Sequence, residues 1–224
     1  MARTVYLKTP LTEEDVRGLQ LDDVVYLTGD AYTMMYIDHF TRLTGMIKAG
    51  EPLPMELKGN VIYNTGTIFR REEDGTYDFR AIGATTSSKF NAYTPEFIRL
   101  SGVRAVIGKG GMDRNVLDAM QECGCVYLAI VGGCSAIYTP HVELKREFWP
   151  QKSWADNQLQ LRLDAFGPLF VAMDANGNSI YEQCGDTAQE NLPAFLRGAI
   201  PGFLFWPDPL FHRMEQTHLG GNRI

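Results

Sequence analysis

Three glycine-bracketed segments carry the residues best suited to chemistry. They are residues 83–89 with the sequence GATTSSK, 108–111 with GKGG, and 132–135 with GGCS. Each is predicted to join a strand to a helix, where free backbone N–H groups and the helix dipole can receive an anion. Lys89 and Lys109 add positive charge, so the loops suit a small carboxylate or phosphate. The spacings GxxxxGK[ST] and GxGxxG do not occur, which disfavours a nucleotide.

The elements around these loops alternate between strands and helices. Strands are predicted at 24–27, 60–63, 103–107, 125–131, 159–163 and 169–173, and helices at 12–18, 33–48, 94–102 and 113–124. An Asp-Gly step predicts an antiparallel pair, 68–70 with 77–81, and Asn176-Gly177 predicts a second hairpin before residues 179–181. Repeated strand–loop–helix steps indicate an α/β fold whose functional loops collect at the carboxyl ends of parallel strands.

Composition and charge limit the classes of protein that remain. The 224 residues are 45% hydrophobic and 21% charged, which fits a globular chain and excludes a disordered one. The net charge of −6 offers no global basic field for a nucleic acid. No segment resembles a signal peptide or reaches the about 18 apolar residues of a membrane span. We therefore expect a cytoplasmic protein with neither a membrane nor a nucleic-acid partner.

The cysteines and three of the histidines predict no metal site. The sequence has four cysteines: Cys123, Cys125, Cys134 and Cys184. They form no pair of CxxC clusters, so reduced thiols are expected, and Cys134 is expected to be a packed thiol in a tight turn. No HxH or HExxH spacing links the scattered histidines, and they are assigned no role: His141, His212 and His218.

The sequence pattern changes beyond residue 185. Prolines recur there and aromatic residues cluster near 203–206, without a helical or strand period. Residues 186–224 are therefore predicted to be an irregular extension, rich in proline and aromatic residues, that packs against the body or a partner. Residues 1–185 are predicted to form the main domain.

Several stretches taken together resemble one enzyme family. Residues 83–89, 106–112 and 166–169 are similar to signature stretches of the beta subunit of L(+)-tartrate dehydratase and of the C-terminal domain of class I fumarases. Leu27-Thr28-Gly29, with His39 ten residues after the glycine, falls in the same register, so the resemblance covers roughly residues 5–185. The combination is specific, whereas each stretch alone is not.

The resemblance implies a fold, an activity and a partner. The fold is a swivelling β/β/α domain with a mixed sheet and flanking helices, and it forms one wall of an active site. A separate alpha subunit would form the other wall and bind a [4Fe–4S] cluster through cysteines. The implied reaction is the reversible dehydration of a malate- or tartrate-like hydroxy-dicarboxylic acid. The cluster iron acts as a Lewis acid while a base removes a proton next to a carboxylate.

The resemblance also assigns roles to individual residues. Thr85 takes the position of the family's base, and His39 that of a histidine considered catalytic. Four residues would contact the substrate: Gly83, Thr86, Lys89 and Lys109. A hydroxyl is a poor base unless a partner takes its proton, whereas imidazole titrates near neutral pH. The family resemblance, and not the residue chemistry, therefore favours Thr85.

The sequence departs from the family pattern in three places. Met35-Tyr36 stands where the family has Arg-Asp, Gly66-Thr67 where it has Gly-Pro, and Lys89 where it has an arginine. Lysine keeps the charge but lacks the planar fork that grips a carboxylate. These departures predict an altered hydroxy acid as substrate, with an apolar group near Met35.

Two other interpretations remain open. A non-catalytic regulatory or anion-binding homologue would explain the missing arginine at position 35, although Thr85, Lys89 and Lys109 are retained. A free-standing lyase without a cofactor could use His39 and Lys109, and this chain alone would then be active.

Overall fold

The computed structural model describes residues 2–73, 77–149 and 157–196, and these ranges contain nine strands and five α-helices. The strands are β1 Thr4–Lys8, β2 Val24–Thr33, β3 Val61–Tyr63, β4 Thr65–Arg71, β5 Tyr77–Ala84, β6 Ala105–Gly108, β7 Val126–Ala129, β8 Val142–Phe148 and β9 Gln158–Met173. The α-helices are α1 Glu13–Arg17, α2 Ile37–Lys48, α3 Thr94–Ser101, α4 Arg114–Cys123 and α5 Ile180–Leu196. Two 3₁₀ segments follow β5 and β7: Ser87–Phe90 and Ser135–His141.

Seven of these described strands form one mixed sheet in the order β1-β2-β3-β6-β7-β9-β8. Strands β1, β2, β3, β6 and β7 run parallel to one another, while β9 is antiparallel to its neighbours β2, β7 and β8. β9 also pairs along β2, from Val24 opposite Phe170 to Tyr32 opposite Gln160. Because β9 contacts both β7 and β2, the strands β2, β3, β6, β7 and β9 close into a ring. β4 and β5 form a separate antiparallel hairpin, as predicted.

The strand side chains divide between two hydrophobic cores, because successive residues of a strand point to opposite faces. Val61 and Tyr63 of β3 belong to a core that draws residues from all five strands of the ring. Ile62, between them, belongs to a second core with the buried faces of α2, α3 and α4. These helices therefore cover one face of the sheet. The predicted α/β class, with a mixed sheet and flanking helices, is confirmed.

Two helices begin at the predicted capping residues, Thr12 and Asp113. At α1, Asp15 N–H donates to Thr12 Oγ1 at 3.1 Å, and Thr12 N–H donates to the Asp15 carboxylate at 2.7 Å. At α4, Val116 N–H donates to Asp113 Oδ1 at 3.2 Å. These bonds satisfy N–H groups that a first helical turn cannot pair internally.

Several strands and turns differ from the prediction. The strand expected at 24–27 continues past Gly29 to Thr33, since Gly29 adopts a φ of +124° at an irregularity in the β2–β9 pairing. A side chain at Gly29 would collide with Thr9 Oγ1. Strands β1 and β8 were not predicted. The second predicted hairpin is reduced to one bridge, Met173 with Ser179, because helix α5 begins directly after it.

The chain divides into two units after Tyr181, and the described part of the second unit is residues 182–196. The prediction of irregular structure from residue 186 is wrong for 186–196, which are helical as part of α5. Residues 180–192 contain no proline, and Thr187 Oγ1 donates to Gln183 O at 2.8 Å within the helix. Residues 197–224, with the predicted aromatic cluster, lie outside the described residues. Within the described residues, no helix combines the length and apolar character of a bilayer span.

Candidate active site

The three predicted loops lie side by side at the carboxyl ends of β5, β6 and β7. Thr86 and Lys109 form a parallel bridge that joins the first loop to the second. In the third loop, a Cβ at Gly132 would lie 3.5 Å from Lys109 Cδ. A Cβ at Gly83 would likewise lie 3.5 Å from Ser135 Oγ. The loops therefore form one continuous surface, although the first loop follows the separate β4–β5 hairpin and not a strand of the sheet that contains β6 and β7.

A buried polar network lies beneath these loops, and the sequence analysis did not identify it. Ser87 Oγ donates to Asn64 Oδ1 at 2.9 Å and accepts from Tyr127 OH at 3.1 Å. Ser87 and Asn64 are 0% exposed. Burial raises the pKa of Tyr127, so its hydroxyl stays protonated and remains a donor. A Cβ at Gly108 would collide with Ser87 Oγ and lie 2.9 Å from Tyr127 OH, so glycine is required there.

Asn64 connects this network to two neighbouring segments. Its backbone carbonyl accepts the Thr85 N–H at 2.8 Å, and its Nδ2 donates to Met34 O at 3.2 Å. Its own N–H donates to Ile107 O at 2.8 Å. One buried residue thus holds the loop of Thr85, the end of β6 and the segment that precedes α2. A polar residue directly after the buried strand Val61–Tyr63 was the signal that could have revealed it.

A cavity of about 550 Å³ opens at the start of α2, next to the 3₁₀ segment Ser87–Phe90. Met35, His39 and Lys89, which the sequence analysis singled out, line this cavity. Asp38 and Arg42, which it did not, line it too. The cavity therefore brings a histidine and two cations together.

The two elements that border the cavity are held by aromatic packing. The rings of Phe40 in α2 and Phe90 in the 3₁₀ segment lie 5.0 Å apart between centroids, and Phe97 of α3 lies 5.4 Å from Phe40. Both Phe40 and Phe90 are buried. This packing sets the position of Lys89 relative to the first turn of α2.

His39 is held in a defined orientation within the cavity wall. It is 3% exposed, and its Nδ1 accepts the Met35 N–H at 3.3 Å. The Tyr36 ring meets the imidazole edge-on, with centroids 5.7 Å apart. An Nδ1 that accepts a hydrogen bond assigns the proton of the neutral imidazole to Nε2.

The other predicted site residues lie in the loops and outside the lining of this cavity: Gly83, Thr85, Thr86 and Lys109. Thr85 and Lys109 are half-buried, whereas Thr86 and Lys89 are exposed. In the described part of the chain, no group hydrogen-bonds to Thr85 Oγ1, and no carboxylate forms an ion pair with either lysine. Lys89 Nζ lies 5.2 Å from the centroid of the Phe90 ring. Both ammonium groups thus remain available to an anion as far as the described residues show.

Met35 occupies the space beside the Gly66-Thr67 step. A Cβ at Gly66 would lie 2.9 Å from Met35 Cε and 3.0 Å from Met35 Sδ. Thr67 is 7% exposed. Two of the departures from the family pattern therefore adjoin each other in space, and the thioether gives this part of the cavity wall an apolar surface.

The described residues offer no ligand set for a metal or a cluster, since no three His, Cys, Asp or Glu side chains among them are grouped. Burial raises the pKa of the Cys123 and Cys125 thiols.

The expectation of a packed Cys134 is wrong, because that side chain is exposed in an open glycine turn. His141 Nδ1–H donates to Asp164 O at 2.8 Å, and His212 and His218 lie outside the described residues.

Comparison with known proteins shows the family to which this chain belongs. The sequence profile of the family described as "Fumarase C-terminus" matches residues 1–184. The chain belongs to this family. A provisionally named L(+)-tartrate dehydratase subunit beta of Methanocaldococcus jannaschii is 37% identical over 194 residues, which cover 84% of this chain and 96% of that protein. The L(+)-tartrate dehydratase subunit beta of Escherichia coli K12 is 30% identical, over 78% of this chain and 85% of its own length.

A third relative in this family is longer than the chain. A provisionally named class I fumarate hydratase of Geobacillus stearothermophilus is 33% identical over 86% of this chain, but only 36% of that protein is covered. The fumarase C-terminus family thus includes chains of about this length and longer chains in which the same region is one part. The resemblance inferred from the loop sequences is confirmed.

Proposed function

We propose that this chain is the beta subunit of a hydro-lyase that reversibly dehydrates a hydroxy-dicarboxylic acid of the malate or tartrate type. The observation that carries the proposal is the cavity that joins His39 to Lys89, beside the loops of Thr85 and Lys109. Membership of the fumarase C-terminus family supports the same reaction class. A relative named as a tartrate dehydratase subunit beta, 96% covered by the match, supports a subunit of a larger enzyme.

We propose that a separate alpha subunit supplies a [4Fe–4S] cluster. The described residues of this chain do not fit such a cluster, since they group no three suitable ligands. This chain's own contribution is to bind the acid, to orient it and to move a proton. We also propose a cytoplasmic location without a membrane or nucleic-acid partner, and the net charge of −6 supports the absence of a nucleic-acid partner.

The reaction removes a proton from the carbon next to a carboxylate and releases the neighbouring hydroxyl as water. We assign the proton removal to Thr85 and propose that His39 donates a hydrogen bond to a substrate oxygen. The Nδ1 of His39 accepts the Met35 N–H, which supports a proton on Nε2 and hence a donor role. A threonine hydroxyl acts as a base only if a partner takes its proton. We propose that this partner belongs to the alpha subunit or to the bound substrate.

The remaining residues would hold the acid. We propose that Lys89 and Lys109 pair with its carboxylates, since neither forms an ion pair within the described residues. Gly83 and Thr86 would contribute the loop backbone that approaches the substrate. The apolar surface of Met35 supports a substrate that carries an apolar group where the family's arginine would stand.

The test is an anaerobic co-purification with the alpha-type chain encoded in the same genome, followed by assays with L(+)-tartrate, malate, fumarate and methyl-substituted analogues. The proposal predicts hydration or dehydration of at least one of these acids by the complex. A complex without activity on any of them would support the non-catalytic, anion-binding homologue. Full activity of this chain alone would support the free-standing lyase.

A further inference from the structure

We propose that Arg42 binds a carboxylate of the substrate in the α2 cavity and supplies the planar guanidinium that positions 35 and 89 lack. Neither the family resemblance nor the compared proteins assign this residue a role. The inference rests on the proposed function, because it assumes that the acid bound at this site carries two carboxylates.

The position of Arg42 on its helix points to this role. His39 and Arg42 are three residues apart in α2, so they lie on the same helix face, and both line the cavity. Lys89 lines the same cavity from the neighbouring 3₁₀ segment. A substrate beside the imidazole thus has one cation on each of the two bordering elements.

An aromatic ring supports the guanidinium of Arg42, and no ion pair within the described residues competes for it. Its Cζ lies 4.8 Å from the centroid of the Trp149 ring, and Trp149 in turn packs on the buried Phe148 at 6.0 Å. Among the described residues, no carboxylate lies within ion-pair distance of Arg42. By contrast, Lys48 on the same helix pairs with Glu96 at 2.6 Å. An arginine held by an aromatic face, whose donors meet no carboxylate in the described part of the chain, is suited to a ligand carboxylate.

The charges around the cavity favour an anion, since its two lining cations outnumber its one lining carboxylate. Arg42 and Lys89 are opposed by one lining carboxylate, that of Asp38. Asp38 is exposed in the first turn of α2, where the helix dipole already favours a negative charge. Arg42 is the one arginine among the lining residues, and it alone can form a two-pronged hydrogen bond with a carboxylate.

The test measures binding apart from turnover, by calorimetric titration of the complex with succinate and with butyrate. Both acids are unreactive, and they differ by one carboxylate. Arg42→Gln is expected to weaken succinate binding by about tenfold or more, with a change of less than about twofold for butyrate. Arg42→Lys, which keeps the charge and loses the fork, is expected to lose less. Lys48→Gln is the matched control and should change neither affinity.

Three results would overturn the inference. They are wild-type affinity for succinate in Arg42→Gln, an equal loss for both acids, or the same loss in Lys48→Gln. Failure of the proposed function looks different: the wild-type complex would bind succinate in an Arg42-dependent manner yet turn over no hydroxy-dicarboxylic acid. In that case the role of Arg42 in binding would be retained and the proposed reaction would be wrong. If instead the complex is active and substitution of Arg42 has no effect on binding, only the inference about Arg42 is wrong.

Discussion

The polar residues beneath the loops differ from those around the α2 cavity in burial and in how far other groups of the chain pair with them. In the buried network, Ser87 and Asn64 are fully buried, and their side chains form hydrogen bonds with other groups of this chain. In the cavity and loops, Lys89 and Arg42 reach solvent and form no ion pair within the described residues. The difference separates residues that position the site from residues that are available to contact a substrate. Changes in the first group should affect stability, and changes in the second should affect turnover and binding.

The largest effect is expected from Thr85→Ala. Its hydroxyl has no hydrogen-bond partner among the described residues, so its loss should leave stability unchanged. If Thr85 removes the substrate proton, kcat of the complex should fall by about 100-fold or more. The exposed neighbour Ser88 provides the control, and Ser88→Ala should retain near-normal kcat. Near-normal turnover of Thr85→Ala, measured with the intact complex, would remove Thr85 from the mechanism.

The next effect is on folding stability, in Gly108→Ala. The added methyl group would collide with Ser87 Oγ inside the network, so the free energy of unfolding should fall by up to about 3 kcal/mol. Gly45 in α2 has open space around it, and Gly45→Ala should instead be neutral or stabilise by up to about 1 kcal/mol. Urea unfolding of both variants measures the contrast. Equal stability of the two variants would show that the network is not tightly packed.

A smaller loss of stability is expected from Ser87→Ala. It leaves two buried groups, Asn64 Oδ1 and Tyr127 OH, without their partner, at a cost of about 1–2 kcal/mol. Tyr127→Phe removes one bond and leaves the Ser87–Asn64 bond in place, so it should cost less. Urea unfolding ranks the two variants. The opposite order would mean that the serine is not the centre of the network.

The smallest effect is expected from Met35→Arg. The new guanidinium would place a cation in the cavity wall where the thioether now lies against Gly66. The ratio of kcat/KM for malate over a methyl-substituted analogue should rise by about fivefold, in keeping with one added charged contact. An unchanged ratio would contradict the account of Met35 as a determinant of the substrate.

The sequence predicted the local features well because each has a local cause. Thr12 and Asp113 begin helices through their own side chains, and glycine loops follow β5, β6 and β7 as expected. Features that depend on distant residues were missed. Closure of the ring depends on β9 pairing with β2, whose residues lie more than 120 positions earlier, from Tyr32 with Gln160 onwards. Periodicity within one segment carries no information on such a pairing.

In the candidate site, too, some residues could be predicted from the sequence and others could not. His39 and Lys89 could be selected from the family resemblance, and the structure places both in one cavity. Arg42 was missed because its role depends on the side chains that surround it, Trp149 above all. Ser87 was included in the loop motif as one of several hydroxyls, and only its burial distinguishes it from the exposed Ser88.

We propose above that this chain forms part of an active site that a second chain completes. The most direct measurement is the dehydratase rate at a fixed concentration of the alpha subunit, as increasing amounts of this chain are added anaerobically. If the two chains share one active site, neither chain alone is active, and the rate rises and then saturates at a fixed ratio of the two. A rate that rises in proportion to this chain without the alpha subunit, or no rate at any ratio, would contradict it.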